Sequence, residues 1–448
     1  MSLVEEAPGL LHSLHRLPTT RVSELLTRRL EPTVDGKYLH WDELRHRTPP
    51  EGMTVHEWWF TLKFARNSLL HRLPLTNAVG EPFRYGMPDH VLEGLHRVDQ
   101  QASGQIAISE EVTNSQTRDR YIVSSLIEEA ITSSQLEGAS TTHRVAEEML
   151  RSGRPARTRD ERMIFNNYQA MNVVRQWNGP LTPDRVLQLH RVVTDGTLDD
   201  PAAAGRLQTP DDDRVHIATP DGEVVFEPPP AEQLPERLAL MCSFANGQGV
   251  EGFLHPVVRA ILLHFWLAHD HPFEDGNGRT ARTLFYWSMR SQGYWLTEFL
   301  SISRILRQAP MQYARAFLFT ERDEGDTTYF IAYQLGVILR AIDDLHTYLQ
   351  RRMAEIRDSE RFLHDAGLNH RQAALIRHAL RHPDAEYTFK SHQRSHGVVY
   401  QSARNDLLDL ERRGYVERRR IGRAFRFYPN PNLRDVERDH GEPHRTKR

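Results

Sequence analysis

Cysteine is almost absent: Cys242 is the only one among 448 residues. No intrachain disulfide can form, which fits a reducing cytosol and makes the cytoplasm the expected location. Long hydrophobic runs are missing too. None approaches the roughly 18 apolar residues that span a bilayer, so no membrane partner is expected. Met1 to Leu14 is acidic ahead of a short apolar patch and lacks the basic start of a secretory signal. Charge of one sign is also scarce, with a formal net charge of -3. A nucleic-acid surface therefore has to be local. The one dense basic segment holds Arg412, Arg413, Arg418, Arg419, Arg420, Arg423 and Arg426. Walker A glycines followed by Lys-Ser/Thr are absent, as is a kinase catalytic loop, which argues against the commoner ATP-using folds. No internal repeat is present.

What is there has the size and composition of a soluble multidomain protein, too long for one core. Residues 1–115 carry many prolines between short helical patches, at Trp58 to Leu70 and Val91 to Ala102, and read as an irregular, mostly helical module. Residues 116–350 are strongly helical. Ile122, Leu126 and Ala130 recur every four residues, as do Val123, Ile127 and Ile131, which predicts one buried face, with Gly138 at the C-terminal cap. Val257, Ile261 and Phe265 repeat the pattern after Pro256. Arg214 to Ala218 and Glu223 to Glu227 interrupt it as two strand-like runs joined through Asp221-Gly222, a hairpin signal. Such a hairpin in a helical region reads as a functional flap. Residues 360–432 show helix, helix, turn, helix and a two-stranded wing turning at Ile421-Gly422, the winged helix-turn-helix order. Val399, Ala403, Leu407 and Leu410 line the last of those helices. Residues 433–448 read as a flexible tail. The expected fold class is mainly α.

Chemistry concentrates in one run, His271-Pro272-Phe273-Glu274-Asp275-Gly276-Asn277-Gly278-Arg279-Thr280-Ala281-Arg282. Gly276-Asn277-Gly278 can turn successive backbone N–H groups into an anion-binding nest. The periodic stretch Thr280 to Trp287 places that nest at a helix N-terminus, which attracts phosphate through free N–H groups and its dipole. Arg279 and Arg282, three apart, share a helix face and suit a polyphosphate. Asp275 offers a hard oxygen for Mg2+. His271 is an imidazole able to take a proton from an attacking hydroxyl near neutral pH. A base, a metal carboxylate, a phosphate cradle and cations within twelve residues describe a phosphoryl or nucleotidyl transfer site. The competing reading is a Gly-Asn-Gly turn before a helix, with surface arginines and a stray histidine; it suits the glycine triplet alone better than the whole run.

The run resembles the signature of the Fic family, His-x-Phe-x-Asp/Glu-Gly-Asn-Gly-Arg-x-x-Arg, with no mismatch. The resemblance implies a helical core in which His271 deprotonates a target hydroxyl and Asp275 holds Mg2+. Phe273, Gly276, Asn277, Gly278 and Arg279 would serve the nucleotide and its α- and β-phosphates, and Arg282 the γ-phosphate. Ser133-Ser-Gln-Leu-Glu137-Gly138 is similar to the family's inhibitory Ser/Thr-x-x-x-Glu-Gly/Asn motif, so Glu137 would pair with Arg282 in the γ-phosphate position. Residues 214 to 227, with Val215, His216 and Ile217 on the first strand, resemble the flap that aligns a target segment by strand addition. Fic chains often end in a winged helix.

One departure stands out: where family members commonly show a nucleotide-holding asparagine, this chain has Ala309 or Gln308. Some relatives transfer UMP, phosphocholine or phosphate instead of AMP. The expected activity is thus a protein adenylyltransferase moving AMP from Mg-ATP to a Ser, Thr or Tyr hydroxyl of an unidentified protein, itself included, and restrained by Glu137. Alternatives are another donor, removal of AMP, or a DNA-binding regulator with a nucleotide-sensing core, with Arg404, Arg418, Arg419, Arg420 and Arg423 as candidate DNA contacts. A homo-oligomer is left open. Gly247 to Gly252 fits G-x-G-x-x-G but follows a helical pattern, so it reads as an inter-helix loop. His264, His269 and His271 lack the cysteines of a zinc site, and His264 reads as a hydrogen-bonded core residue.

Overall fold

A computed structural model of the chain describes residues 4–103, 115–214, 217–218, 224–365, 367–381, 384–421 and 424–431. It is mainly helical, and its described strands form three separate two-stranded antiparallel ribbons. The chain divides into two compact units, residues 1–345 and 346–448.

The first unit opens with helices α1 (Leu10–His15), α2 (Thr19–Leu26), α3 (Trp41–Leu44) and α4 (Val55–Asn67). A capping box starts α4: Thr54 Oγ1 accepts from Glu57 N at 3.3 Å, and Glu57 Oε2 accepts from Thr54 N at 2.7 Å. Trp41, Trp59, Leu39, Leu44 and Leu62 form a small core here. A hairpin follows, β1 (His71–Thr76) with β2 (Pro82–Tyr85), which the proline at position 74 hides from a strand pattern. Next comes α5 (Asp89–Val98). Fully buried Arg66 ties this region to the later chain, stacking on Tyr38 at 3.8 Å and donating to Tyr329 Oη at 2.9 Å.

The remainder of the unit holds α6 (Ser115–Leu136), α7 (His143–Ser152), α8 (Arg159–Gln176), α9 (Pro183–Thr194), strands β3 (Ile217–Ala218) and β4 (Val224–Phe226), and α10 (Leu234–Ala245). Helices α11 (Pro256–Asp270) and α12 (Asn277–Ser291) form its centre. Both are buried nearly all round, as expected of helices inside a larger core rather than on its surface. Around them pack α6, α8, α9 and α10. Then come α13 (Ile302–Gln308), α14 (Pro310–Glu321) and the first part of α15 (Thr328–Asp365). On α6 the predicted face is buried at Ile122, Leu126, Ile127, Ala130 and Ile131, but Val123 is exposed. Two adjacent columns make a stripe wider than the contact, and Val123 falls at its solvent edge. Gly138 caps α6 with φ of 95°, as predicted.

The second unit contains α16 (His370–Arg381), α17 (Phe389–His396), α18 (Tyr400–Arg412) and the ribbon β5 (Val416–Ile421) with β6 (Ala424–Pro429). Leu375, Ile376, Ala379, Leu407, Leu410 and Phe427 close its core. Ala403 is buried as predicted, whereas Val399 is exposed, because it precedes α18 as the N-cap residue and its side chain leaves the helical face.

Candidate active site

The turn between α11 and α12 is built by its own polar side chains. His271 closes α11 in the left-handed region, φ 44° and ψ 54°, a conformation that costs a non-glycine residue about 1 kcal/mol. Its N–H still bonds to Leu267 O at 3.0 Å. Gly276, φ 83°, is the N-cap of α12. A Cβ there would meet Thr194 Cγ2 at 2.7 Å, so glycine is required twice, by conformation and by space. Asn277 closes the loop, donating to Phe273 O at 2.8 Å and accepting from Phe273 N at 3.0 Å.

These bonds commit two candidate residues to the loop itself. Phe273 is buried and stacks on His190, centroids 3.8 Å apart, and its N–H is already taken. The Asn277 side chain is likewise spent on the loop. Both residues shape the cradle rather than touch a ligand through their side chains; what faces outward is the start of α12. There the free N–H groups of a helix N-terminus converge.

His190, on α9, is a site residue that sequence reasoning missed. Its Nε2 lies 2.8 Å from Asp275 O and its Nδ1 accepts from Gly205 N at 2.9 Å, which fixes the Nε2–H tautomer. Burial holds this imidazole neutral, its pKa pushed down to about 4. Arg214 is a second. It donates to His271 O at 2.9 Å, Asp270 O at 2.8 Å, Pro229 O at 2.8 Å and Gln208 Oε1 at 2.7 Å. A cation on the last carbonyls of α11 favours the helix dipole and links the base of the ribbon to the loop. Neither signal exists in local sequence, since the partners lie 85 and 57 positions away.

His271 is partly buried, and desolvation lowers its pKa from the ordinary histidine value. Desolvation therefore favours its neutral form. Asp275 is half-exposed at the loop tip. Its Oδ1 accepts from Gly276 N at 2.5 Å and its Oδ2 from Arg279 Nη2 at 3.2 Å. Arg279 also donates from Nη1 to Val193 O at 3.2 Å, while its buried Nε has no acceptor among the described residues. An orphaned guanidinium donor beside a helix N-terminus fits an anion. Among the described residues no three His, Cys, Asp or Glu gather into a metal cluster. Mg2+ needs none: one carboxylate, phosphate oxygens and water complete its shell, and Asp275 retains free lone pairs.

Arg282 is fully buried and completes the arrangement. Its Nε donates to Ser133 Oγ at 2.9 Å, and its Nη2 donates to Ser133 O at 3.0 Å and to Glu137 Oε1 at 2.8 Å. Glu137 projects from the end of α6 directly over α12, where a Cβ built on Gly278 would collide with its Oε1. The carboxylate thus sits above the first turn of α12, held by the buried Arg282. Of the flap residues, Ile217 pairs with Phe226 and Ala218 with Val224; Val215 and His216 lie outside the described residues. Of the candidate DNA contacts, Arg404, Arg418, Arg419 and Arg420 are exposed on the second unit, and Arg423 lies outside the described residues. His264 is a buried core histidine, its Nε2 2.8 Å from Tyr313 Oη, and Gly247 to Gly252 joins α10 to α11.

Fold and site together define a helical protein with a glycine-containing, arginine-lined turn between two central helices. Residues 180–289 match the Fic/DOC family. The chain is 34% identical over 111 residues to the protein adenylyltransferase fic-1 of Caenorhabditis briggsae, a match covering 25% of this chain and 20% of that protein. It is 54% identical over 41 residues to the protein adenylyltransferase Fic of Drosophila virilis, covering 9% and 8%. The matched segment is thus a fifth or less of these relatives' length. A Fic family protein from Desulfovibrio desulfuricans shares the fold, with TM-score 0.54 and 17% identity over 80% of this chain and 99% of that one. The chain thus contains a Fic/DOC-family segment at residues 180–289.

Proposed function

We propose that the protein is an adenylyltransferase that moves AMP from Mg-ATP to a protein hydroxyl and is restrained by Glu137. The relatives named as adenylyltransferases support the reaction class. The single observation that carries the reading is the Arg282–Glu137 contact at 2.8 Å above Gly278. A carboxylate on that guanidinium occupies the place a terminal phosphate needs. In the reaction, neutral His271 takes the proton from a target hydroxyl and the oxygen attacks the α-phosphorus. The bond from that phosphorus to the bridging oxygen breaks, and pyrophosphate leaves. Bound Mg2+ would neutralise charge on the phosphates, with Asp275 as its protein ligand. Free N–H groups at the start of α12 and the Arg279 fork would hold the negative charge. Arg282 would grip the outermost phosphate once Glu137 withdraws.

With α-labelled ATP and Mg2+, Glu137→Gly should label itself at least tenfold more than the unaltered chain. The lost contact is a charge-assisted bond of about 1.5–3 kcal/mol, roughly 10- to 100-fold. His271→Ala in that background should remove the label. Equal labelling with and without Glu137 would end the autoinhibition reading, and equal labelling with and without His271 would end the base assignment. Intact mass after incubation with each nucleoside triphosphate identifies the donor, which the Ala309 or Gln308 departure leaves open.

A second reading concerns residues 346–448, whose helices and ribbon fit a winged helix that binds duplex DNA. The specific observation is charge. This unit carries 22 Lys and Arg against 14 Asp and Glu, net +8, within a chain whose total is -3. Arg404 is exposed on α18, flanking the face that buries Ala403 and Leu407. The two readings are compatible, since DNA binding can tune an enzyme.

A further inference from the structure

Glu129, Ser133 and Glu137 recur every four residues, so one column runs along α6 to its C-terminal end. The far end of that column holds Arg282 through Ser133 and Glu137. The near end holds the start of α13. Glu129 is 1% exposed; its Oε2 accepts from Ser301 Oγ at 2.9 Å and from Ser303 N at 3.1 Å, and its Oε1 accepts from Ser303 Oγ. Beside it Ser125 Oγ donates to Phe299 O at 3.0 Å, and Thr132 Oγ1 lies 3.2 Å from Ser301 Oγ. The segment so gripped is itself fixed to α12. Tyr286, one turn beyond Arg282, donates from Oη to Leu300 O at 3.1 Å and accepts from Ile302 N at 2.9 Å.

Two rungs of this column thus reach α12. One runs from Glu129 through residues 300–303 to Tyr286, and the other is the Glu137–Arg282 contact. They differ in burial. Glu129, Ser301, Ser303 and Tyr286 are all buried, where hydrogen bonds are strongest, whereas Glu137 lies at the exposed end of the column. The apolar face of α6, with Ile127 and Ile131 against Ala146, Met149 and Ile164, adds adhesion but little register, because apolar contact is non-directional. We propose that Glu129 is a positioning residue of the inhibitory contact: its clamp on Ser301 and Ser303 sets the register of α6 against α12 and so delivers Glu137 to Arg282. Loosening the clamp activates the enzyme with Glu137 still present. This rests on the reading of Glu137 as the inhibitory residue. Glu129 is buried and acts through Glu137.

Self-labelling with α-labelled ATP and Mg2+, measured in two backgrounds, separates this role from a merely structural one. Glu129→Gln in the otherwise unaltered chain should raise the label about fivefold, the worth of one hydrogen bond, and not beyond the level of Glu137→Gly. In the Glu137→Gly background the same change should leave the label within about twofold, because no inhibitory carboxylate remains to be positioned. Damage to the fold would instead lower the label in both. Ser303→Ala removes one hydroxyl from the clamp and spares the carboxylate; it should give the same pattern with a smaller rise, and it decides the matter if Glu129→Gln does not fold. No rise in the unaltered chain, or an equal change in both backgrounds, would overturn the role of Glu129 while the autoinhibition reading stands. If Glu137→Gly labels no more than the unaltered chain, that reading falls and this inference with it.

Discussion

His190 shows how one buried imidazole can decide the shape of a tight turn between two helices. Its two nitrogens face groups that demand opposite roles, a carbonyl of Asp275 and an N–H of Gly205. A second proton would sit on Nδ1 and point at the Gly205 donor. His40, with its pKa near 4, and His264, near 3, are buried and held neutral in the same way. In the unfolded chain each regains an ordinary pKa of about 6.5. The unfolded state therefore binds more protons once the pH drops below that value, and stability falls with it. Their contribution is intact above about pH 6.5 and is lost progressively toward pH 4, at up to about 1.4 kcal/mol per pH unit for each. Glu129, a buried carboxyl with a raised pKa, opposes this trend, so the cleanest measurement is a difference. His190→Gln can donate to Asp275 O and accept from Gly205 N without titrating. Urea unfolding between pH 7 and 5 should show its stability falling less steeply than the parent's, by roughly 1 kcal/mol per unit. Parallel slopes would mean that His190 is not held neutral in the fold.

The turn linking α11 to α12 behaves as an element rather than a set of ligands. Its two glycines do different work, and substitution should tell them apart. At Gly276 a side chain meets both a left-handed φ of 83° and Thr194 Cγ2 at 2.7 Å, so Gly276→Ala should cost about 2–3 kcal/mol in thermal unfolding. Gly278 lies inside α12 with an ordinary φ, and the first atoms in its way are the mobile carboxylate of Glu137 and Arg282 Nη1. Gly278→Ala combined with Glu137→Gly should therefore cost under about 1 kcal/mol. Similar losses at both positions would contradict this division. Much of this element was readable along the chain: positive-φ glycine, helix start and cations all fall within one run. The Glu137–Arg282 contact spans 145 positions, and only resemblance to a family pattern joined those residues. His190 and Arg214 were not readable, because a histidine or arginine inside an amphipathic pattern gives no sign of a partner far along the chain. That the side chains of Phe273 and Asn277 are used in packing and a backbone bridge was not readable either, because those contacts exist only once the turn is folded. The β1–β2 ribbon escaped because a proline stands inside β1.

At the scale of the whole molecule the charge is unevenly shared. Residues 1–345 carry 35 Lys and Arg against 46 Asp and Glu, net -11, while residues 346–448 are net +8. The net charge of the second segment favours a polyanion such as duplex DNA, and such attraction must be screened by salt. Its arginines are not equally free to do so. Arg418 pairs with Glu411 at 3.0 Å and lies over Phe425, and Arg419 pairs with Glu417 at 3.2 Å and lies over Tyr428. Arg404 on α18 and Arg420 on β5 form no ion pair among the described residues. Counterion release ties each phosphate contact to about 0.9 of slope in a plot of log affinity against log salt. Arg404→Ala with Arg420→Ala should flatten that slope by about 2 in fluorescence anisotropy with a labelled duplex, weakening all sequences alike. The already paired Arg418→Ala and Arg419→Ala should change it less. A slope near zero in the parent protein would show that this positive segment serves another partner. A normal slope that survives loss of Arg404 and Arg420 would move the contact surface elsewhere on the unit.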